Sequence, residues 1–232
     1  LGHSAEGVLA QYMAIKEDNA VKIPQNLNYH EASCLPCAAL TAWHAMMEAG
    51  KPVTKGDTVL LLGTGGVSII ALQFARAVGA KTIITSSSDE KLEKAKSLGA
   101  DLLINYQKHP DWDEEVKKLT DGKGVDCVVE VGGIGTINKS MNCLGLGGKI
   151  GMIGVLAGAD GECNPRNLMM TGSSIHGIFV GNRRMFEEMN KAIEVNDIHP
   201  VVDKVFDFDD TIEAIKYFKS QAHLGKVVIN ID

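Results

Sequence analysis

The sequence predicts an α/β fold with a doubly wound, mostly parallel sheet that is covered by helices on both faces. First, apolar runs of strand length alternate with helix-period segments through the middle of the 232-residue chain. Second, the runs "TVLLL" (58–62) and "CVVEV" (127–131) are almost continuously apolar, which is typical of strands buried on both sides. Third, a glycine-rich break, "GTGG" (63–66), separates the first strand from the first helix. Strands that are joined by single helices form right-handed crossovers, so neighbouring strands run parallel.

The elements of this sheet follow one another in a regular order. The predicted strands are residues 58–63, 81–86, 102–106, 125–132, 148–155 and 173–180. The predicted helices are residues 67–78, 89–97, 112–119 and 136–144. Each predicted strand is an apolar run of strand length, and each predicted helix shows helical periodicity.

Two flanks fall outside this alternation. Residues 1 to about 38 contain short strand-like pieces and the turn "VKIPQNLNYHEA". Residues from about 181 onward contain helices at 184–195 and about 210–220 and a last strand, "KVVINI". A parallel-sheet unit inserted into a second, incomplete unit gives this pattern, so we expect segments at 1–38, 39–180 and 181–232. The chain opens at Leu1 without a methionine, and we expect either a fragment or a naturally shortened form.

Composition narrows the possible partners and location. The net charge is −6, and basic residues are interleaved with acids, as in "DEKLEKAK". This argues against nucleic acid or an anionic membrane as a partner, because both attract clustered Lys and Arg. No stretch approaches the roughly 20 apolar residues of a membrane span, and no signal-peptide pattern opens the chain, so we expect a cytoplasmic location. Five scattered cysteines predict free thiols in a reducing compartment.

The glycine-rich turn predicts a dinucleotide site. In a parallel sheet, the turn from the first strand to the first helix directs backbone N–H groups and the positive end of the helix dipole at one point. The pattern G-x-G-x-x-G is matched by Gly63, Gly65 and Ser68, with Gly66 as an additional glycine. A P-loop is excluded, because no Lys-Ser/Thr pair follows at the required spacing. The alternative is an ordinary glycine loop, but the strand before it and the helix after it favour a Rossmann-type pyrophosphate site.

The end of the next predicted strand bears on the choice of coenzyme. An acid about 20 residues after the first glycine normally accepts the ribose hydroxyls of NAD, and it would repel a 2′-phosphate. Ser86 occupies this place, so Ser86 and Ser87 can donate hydrogen bonds to a 2′-phosphate, and Lys91 can supply charge. The residues therefore favour NADP(H) over NAD(H). The alternative is that the serines only cap the helix that begins near Asp89.

Several segments in order resemble the medium-chain dehydrogenase/reductase superfamily, and most closely its zinc-type alcohol dehydrogenase-like and quinone oxidoreductase-like branch. The resemblance rests on "EGVLAQY", "EASCLPCAALTAWHAM", "KGDTVLLLGTGGVSIIALQFARAVGAKTI", "KLEKAKSLGADLLINY", "GVDCVVEVGG", "GGKIGMIGV" and "HLGKVVINI", and it spans nearly the whole chain. It implies a Rossmann domain at 39–180, with remnants of a GroES-like catalytic domain at both ends.

The resemblance also implies positions that bind the cofactor, although packing is an alternative explanation for each of them. Gly63, Gly65, Gly66, Val67 and Lys226 would hold the pyrophosphate, Tyr106 would flank the adenosine, and Val131 and Gly132 would lie beside the ribose. Thr41 would lie under the nicotinamide, and backbone groups around Ile153, Val155, Ile178 and Val180 would bond its carboxamide.

Zinc is uncertain on the sequence alone. In zinc members of this superfamily the metal takes a Cys and a His from a region that this chain lacks, and only Cys37 falls on a ligand position. One thiolate does not make a zinc site, so we assign no metal ligands here. The pair Cys34 and Cys37 forms a C-x-x-C motif, for which packing is favoured over a redox role. None of the seven histidines has ligand spacing, and Glu130 is interpreted as a hydrogen-bonded structural residue.

The function that we expect is NAD(P)(H)-dependent hydride transfer to or from a small carbonyl, enone or quinone. No catalytic residue is assigned. The alternative is a catalytically silent NADP(H)-binding module. The resemblance also implies a homodimer that pairs through the strand near Ile175–Val180, where an exposed edge is expected.

Overall fold

The computed structural model describes residues 7–231 and places the middle of the chain in a six-stranded sheet. Its strands are β1 (Thr58–Leu61), β2 (Lys81–Ser86), β3 (Leu102–Asn105), β4 (Val125–Glu130), β5 (Leu144–Met152) and β6 (Ser174–Gly177). Their order is β3-β2-β1-β4-β5-β6, and every pair is parallel. The predicted doubly wound parallel sheet is confirmed. The strand order reverses between β1 and β4, and ligands bind at the carboxyl ends of such a pair.

Nine α-helices occur in the part of the chain that the structure describes. They are α1 (Tyr29–Ala32), α2 (Leu40–Trp43), α3 (Gly66–Val78), α4 (Asp89–Ser97), α5 (Trp112–Leu119), α6 (Ile134–Cys143), α7 (Arg166–Thr171), α8 (Arg183–Val195) and α9 (Thr211–Lys219). Two π-helical turns, Leu35–Ala39 and His44–Glu48, flank α2, and 3₁₀ turns lie at Glu17–Asn19 and Phe208–Asp210. None of these helices has the length and hydropathy that a membrane crossing requires.

The sheet divides the hydrophobic core into two layers. Val59 and Leu61 of β1 belong to the layer that holds α2 and α3, whereas Leu60 belongs to the layer that holds α5 and α6. Successive side chains of a strand point to opposite faces, so both faces of β1 are buried. This explains why the run is continuously apolar rather than alternating.

The secondary structure of the two flanks agrees with the prediction only in part. The C-terminal flank forms a separate parallel pair, β7 (Val202–Asp207) and β8 (Lys226–Asn230), with α9 between them. The last strand was expected, but β7 was not, because only Phe206 of its six residues is buried and its charged residues hide the strand pattern. The expected strands of the N-terminal flank are wrong for residues 7–38, where the structure has only helical turns. Residues 7–20 are exposed throughout, so no neighbouring strand pairs with them.

Candidate cofactor site

The turn between β1 and α3 leaves its backbone open. Gly63 has a φ of +74°, a conformation that favours glycine, and Gly65 is extended immediately before the helix. A Cβ built on either residue meets no atom within 4 Å, so the space in front of both residues can accept a ligand. Gly65 carries no side chain that could cap the first N–H groups of α3. These N–H groups and the helix dipole therefore favour an anion at the turn.

Ser68 fills the third position of the glycine pattern. Its hydroxyl is buried and donates a hydrogen bond to the carbonyl of Leu62 at 2.6 Å. The hydroxyl thus ties the first turn of α3 to the end of β1, which explains why serine replaces glycine without moving the helix away. Gly63 N–H donates to the Oγ1 of Thr85 on β2 at 3.2 Å, and this bond fixes the other side of the turn.

The loop that follows β4 is held by Glu130. This fully buried carboxylate accepts hydrogen bonds from the N–H groups of Gly132 and Gly133 at 2.7 and 3.1 Å. It also accepts from the hydroxyls of Thr136, at 2.7 Å, and Ser140. A buried charge is tolerated when it is fully hydrogen-bonded. The interpretation of Glu130 as structural is therefore consistent with its surroundings, and its role is to shape the loop predicted to lie beside the ribose.

The predicted adenosine side lies at the ends of β2 and β3. Ser86 is buried, its carbonyl accepts from the N–H of Tyr106 at 3.0 Å, and its hydroxyl accepts from the N–H of Ser88 at 3.3 Å. Ser88, and not Ser86 or Ser87, caps α4, because its hydroxyl accepts from the N–H of Lys91. The alternative that Ser86 and Ser87 cap this helix is therefore wrong, because the cap is the next serine, Ser88. Ser87 is exposed, and the ammonium of Lys91 donates to the carbonyl of Gln221.

The predicted nicotinamide side is built largely from backbone. The N–H of Ile153 donates to Glu130 O at 2.8 Å, and the N–H of Ile178 donates to Met152 O at 2.9 Å, so both donors are engaged within the protein. Val180 has a φ of +51°, which is strained for a β-branched residue, and its carbonyl accepts from Nδ1 of His44 at 2.9 Å.

Two other residues predicted for the nicotinamide end have opposite exposures. Thr41 is buried on α2, and Val155 is exposed. If Ile153 and Ile178 bond the carboxamide as predicted, their carbonyls must accept the hydrogen bonds, because their N–H groups already have acceptors.

The last strand reaches back to the glycine turn. Gly225 pairs with Gly65 in a parallel bridge, and its N–H donates to Thr64 O at 3.0 Å. The side chain of Lys226 lies so close over Gly66 that a Cβ on Gly66 would overlap it. The cation predicted for the pyrophosphate is therefore beside the N-terminus of α3, although it is 160 residues distant from Gly66 in the chain.

The cysteine motif does not form a metal centre. Cys37 is exposed on the π-helical turn Leu35–Ala39, whereas Cys34 is buried, and burial raises the pKa of its thiol. No three His, Cys, Asp or Glu side chains within residues 7–231 come together as metal ligands. The residues present do not fit a catalytic zinc site, which needs three protein ligands.

Two residues that shape this site were not predicted from the sequence: His44, which donates to the Val180 carbonyl, and the helix cap Ser88. His44 and Val180 are 136 positions apart, so spacing gave no signal for their contact. Ser88 directly precedes the acidic first turn of α4, and this position is itself a capping signal.

Comparison with known proteins identifies the family. A family model described as zinc-binding dehydrogenase matches residues 66–195. The chain belongs to this family. It is 47% identical over 237 aligned residues to a zinc-type alcohol dehydrogenase-like protein of Schizosaccharomyces pombe, with 100% of this chain and 68% of that protein covered. The resemblance to the medium-chain dehydrogenase/reductase superfamily is thereby confirmed.

Two further members of the family bear on chemistry and fold. The chain is 34% identical to a 2-methylene-furan-3-one reductase of Solanum lycopersicum, with 97% of this chain and 53% of that protein covered. The crystal structure of an NAD-dependent alcohol dehydrogenase superposes with a TM-score of 0.90 at 33% identity, covering 100% of this chain and 67% of the other. The Rossmann fold is confirmed. The chain spans between about half and two thirds of the length of these proteins.

Proposed function

We propose that the protein is a cytoplasmic, homodimeric oxidoreductase that prefers NADP(H) and transfers a hydride to or from a small carbonyl, activated alkene or quinone. The observation that supports it most is the open glycine turn at Gly63 and Gly65, which lies where the strand order reverses between β1 and β4. Relatives named as alcohol dehydrogenase-like and as a furanone reductase support the substrate classes.

The chain's own residues would bind and orient the coenzyme, whose nicotinamide supplies the hydride chemistry when it is bound. The first N–H groups of α3 and the ammonium of Lys226 would hold the pyrophosphate. The loop shaped by Glu130 would bring Val131 and Gly132 to the ribose. The helical segment with Thr41 and the strained residue Val180 would form the walls at the nicotinamide end.

The preference for NADP(H) rests on the residues at the end of β2. Ser86 and Ser87 stand where an acid would repel a 2′-phosphate, and Tyr106 follows β3 directly beside them. The alternative is a preference for NADH, which is suggested by the structural relative named as an NAD-dependent alcohol dehydrogenase. Binding constants for the two reduced coenzymes decide between them.

The test uses the unmodified chain and two glycine variants. Calorimetric titration with NADPH and NADH is expected to show binding of both, with NADPH the tighter ligand. In Gly65→Val a side chain fills the open space, and we expect NADPH affinity to fall at least tenfold, on the order of the loss of one hydrogen bond to a charged group. Gly7→Val is the matched control, because a Cβ at Gly7 also meets nothing within 4 Å, and it should bind normally.

Turnover separates an enzyme from a binding module. Oxidation of NADPH is followed at 340 nm with quinones, enals and aldehydes as acceptors. Oxidation with any of these classes supports the proposed activity, whereas tight binding without turnover favours the cofactor-binding module. If neither coenzyme binds, or if Gly65→Val binds as well as the unmodified chain, the glycine turn is only a tight turn and the proposal fails.

A further inference from the structure

Residues 221–225, which lie between α9 and β8, connect the first turn of α4 with the glycine turn. At one end, the carbonyl of Gln221 accepts from the ammonium of Lys91, which lies in the first turn of α4. At the other end, Gly225 donates to Thr64 in the glycine turn. This segment, the C-terminal turn, therefore spans from the predicted 2′-phosphate position to the predicted pyrophosphate position.

His223 lies in the middle of the C-terminal turn, and α9 fixes its ring. The imidazole stacks on the ring of Phe218, with centroids 5.0 Å apart and an interplanar angle of 21°. It also contacts the ring of Tyr217, at a centroid distance of 6.4 Å. Its Nδ1 is buried and has no hydrogen-bond partner among residues 7–231. The ring takes no part in the hydrogen bonding of the described residues, and because Nδ1 is shielded from solvent, a ligand would contact the ring through Nε2.

Charged groups face the imidazole from three elements. Lys91 on α4 and Lys226 on β8 add positive charge, and Asp203 on β7 adds negative charge. The carboxylate of Asp203 already accepts from the hydroxyl of Tyr217 at 2.6 Å, and the ammonium of Lys204 lies over the Tyr217 ring. Two lysines and a histidine beside the open glycine turn form a site that suits an anion.

We propose that His223 contacts the 2′-phosphate of bound NADP(H) together with Lys91 and thereby determines the preference for NADP(H). This inference rests on the proposed function. The 2′-phosphate is favoured over the pyrophosphate because the C-terminal turn is bonded directly to Lys91, which follows Ser86 and Ser87.

The contact links coenzyme binding to proton uptake. Burial, followed by the field of Lys91, lowers the pKa of His223 below its ordinary value of 6.5, so the free imidazole is neutral at pH 7. A phosphate dianion next to the ring favours the imidazolium and raises this pKa. Binding of NADPH therefore takes up a proton, and affinity weakens as the pH rises through the pKa of the bound state. NADH lacks the phosphate and should show no such uptake at His223.

The experiment is calorimetric titration of the full chain with NADPH and with NADH between pH 6 and pH 8, in two buffers of different ionisation enthalpy. For His223→Gln we expect NADPH affinity at pH 6 to fall about tenfold or more, NADH affinity to change less than about twofold, and proton uptake to disappear. His176→Gln is the matched control, because His176 lies on β6 at the opposite end of the sheet from β3. His223→Arg keeps a planar cation, so it should retain NADPH selectivity but lose the pH dependence.

Three outcomes overturn the inference. The first is unchanged NADPH affinity and proton uptake in His223→Gln, with the unmodified chain still binding NADPH; this leaves the proposed function intact. The second is an equal loss for NADPH and NADH, which would assign His223 to the pyrophosphate or to folding. The third is an unmodified chain that binds neither coenzyme, which overturns the proposed function as well. If His223→Gln does not fold, the pH profile of His223→Arg decides between the first outcome and the proposal.

Discussion

His199 connects the two flanks of the chain through carboxylates on both sides of its ring. Nδ1 lies 2.9 Å from Oε1 of Glu31, and Nε2 lies 3.1 Å from Oδ1 of Asp197. The bond to Glu31 is the main reason that the pKa of His199 is raised above 6.5. The protonated ring can donate to both carboxylates at once, whereas the neutral ring can donate to only one.

We expect this histidine to stabilise the fold most at acidic pH. Because its pKa is raised on folding, the stabilisation is fully present below pH 6.5 and is lost as the pH rises through the folded-state pKa. The ring is partly exposed, so solvent screening limits the contribution to about 0.2–1 kcal/mol. Urea unfolding of His199→Gln and the unmodified chain should differ most near pH 6 and converge by pH 9. A difference that grows with pH would contradict the assignment.

Local features of the candidate site could be predicted from the sequence, whereas most contacts between residues distant in the chain could not. The glycine turn and Ser68 could be predicted because the strand, the turn and the helix are contiguous in the chain. Glu130 is readable as structural because an acid in an apolar run needs hydrogen-bond donors nearby, and Gly132 and Gly133 follow it. The bond from His44 to Val180 joins residues that are 136 positions apart, and no pattern in the sequence marks it.

At the scale of elements, a buried lysine ends the helical segment before β1. Lys149 on β5 is only 4% exposed, and its ammonium donates to the carbonyls of Met46 at 2.8 Å and Ala49 at 2.6 Å. These carbonyls belong to the last turn of the segment and have no partners within a continuing helix. Burial lowers the pKa of Lys149, but the two bonds compensate for part of the cost of desolvation. The lysine thus joins the helical segment that carries Thr41 to the sheet.

Replacing this cap should destabilise the protein. Lys149→Met keeps much of the apolar stem but removes the donor to the Ala49 carbonyl and one of the two donors to the Met46 carbonyl, which still accepts from the N–H of Val53 at 3.0 Å. We therefore expect a loss of about 1–3 kcal/mol in the free energy of unfolding. Lys51→Met is the matched control, because that lysine is exposed and lies 3.8 Å from Asp57, and its effect should stay below about 1 kcal/mol. Both are measured by chemical denaturation. Equal effects of the two substitutions would show that Lys149 does not act as a cap.

The strands illustrate how far a sequence pattern determines an element. β1, β2 and β4 were expected because almost all of their residues are buried, which leaves a continuous apolar run in the sequence. β6 was expected as well, although none of its four residues is buried. Only Phe206 of β7 is buried, so the pattern of that strand is weak and it was missed. The N-terminal flank contains strand-like residues, but in residues 7–38 no strand forms, because a strand also needs a neighbour to pair with. The pairing partner is a property of the tertiary structure.

At the scale of the whole molecule, the flanks meet although they are far apart in sequence. His30 in α1 bonds Asn230 in β8 at 2.9 Å, and Asn190 in α8 donates to the carbonyl of Lys22 at 2.9 Å. The same closure brings the C-terminal turn over the glycine turn through Gly225. The predicted cofactor site therefore includes Gly225 and Lys226 from the C-terminal flank, and only the family resemblance, not the glycine motif, indicated Lys226.

The outer edge of the sheet, at β6, is where we expect a second copy of the chain to bind. Among residues 7–231, β6 pairs with β5 alone, so its other edge presents backbone groups that no described strand pairs with. Exposed apolar side chains lie in the segments before and after it: Leu156, Met169, Met170 and Phe179, each at least 69% exposed. A two-fold axis at this edge would bring the same surface of both copies together and continue the sheet across the interface.

We therefore expect the chain to sediment as a dimer and Phe179→Asp to shift it toward the monomer. The substitution places a charge in the centre of the proposed contact, where it would lose its hydration on association. Val195→Asp is the matched control, because Val195 is 84% exposed, like Phe179 at 85%, but ends α8 outside the six-stranded sheet. Analytical ultracentrifugation over a range of protein concentrations measures the equilibrium for each variant. An unmodified chain that is monomeric at every concentration would contradict the expected dimer. A dimer that Phe179→Asp leaves intact would show that the interface lies elsewhere on the chain.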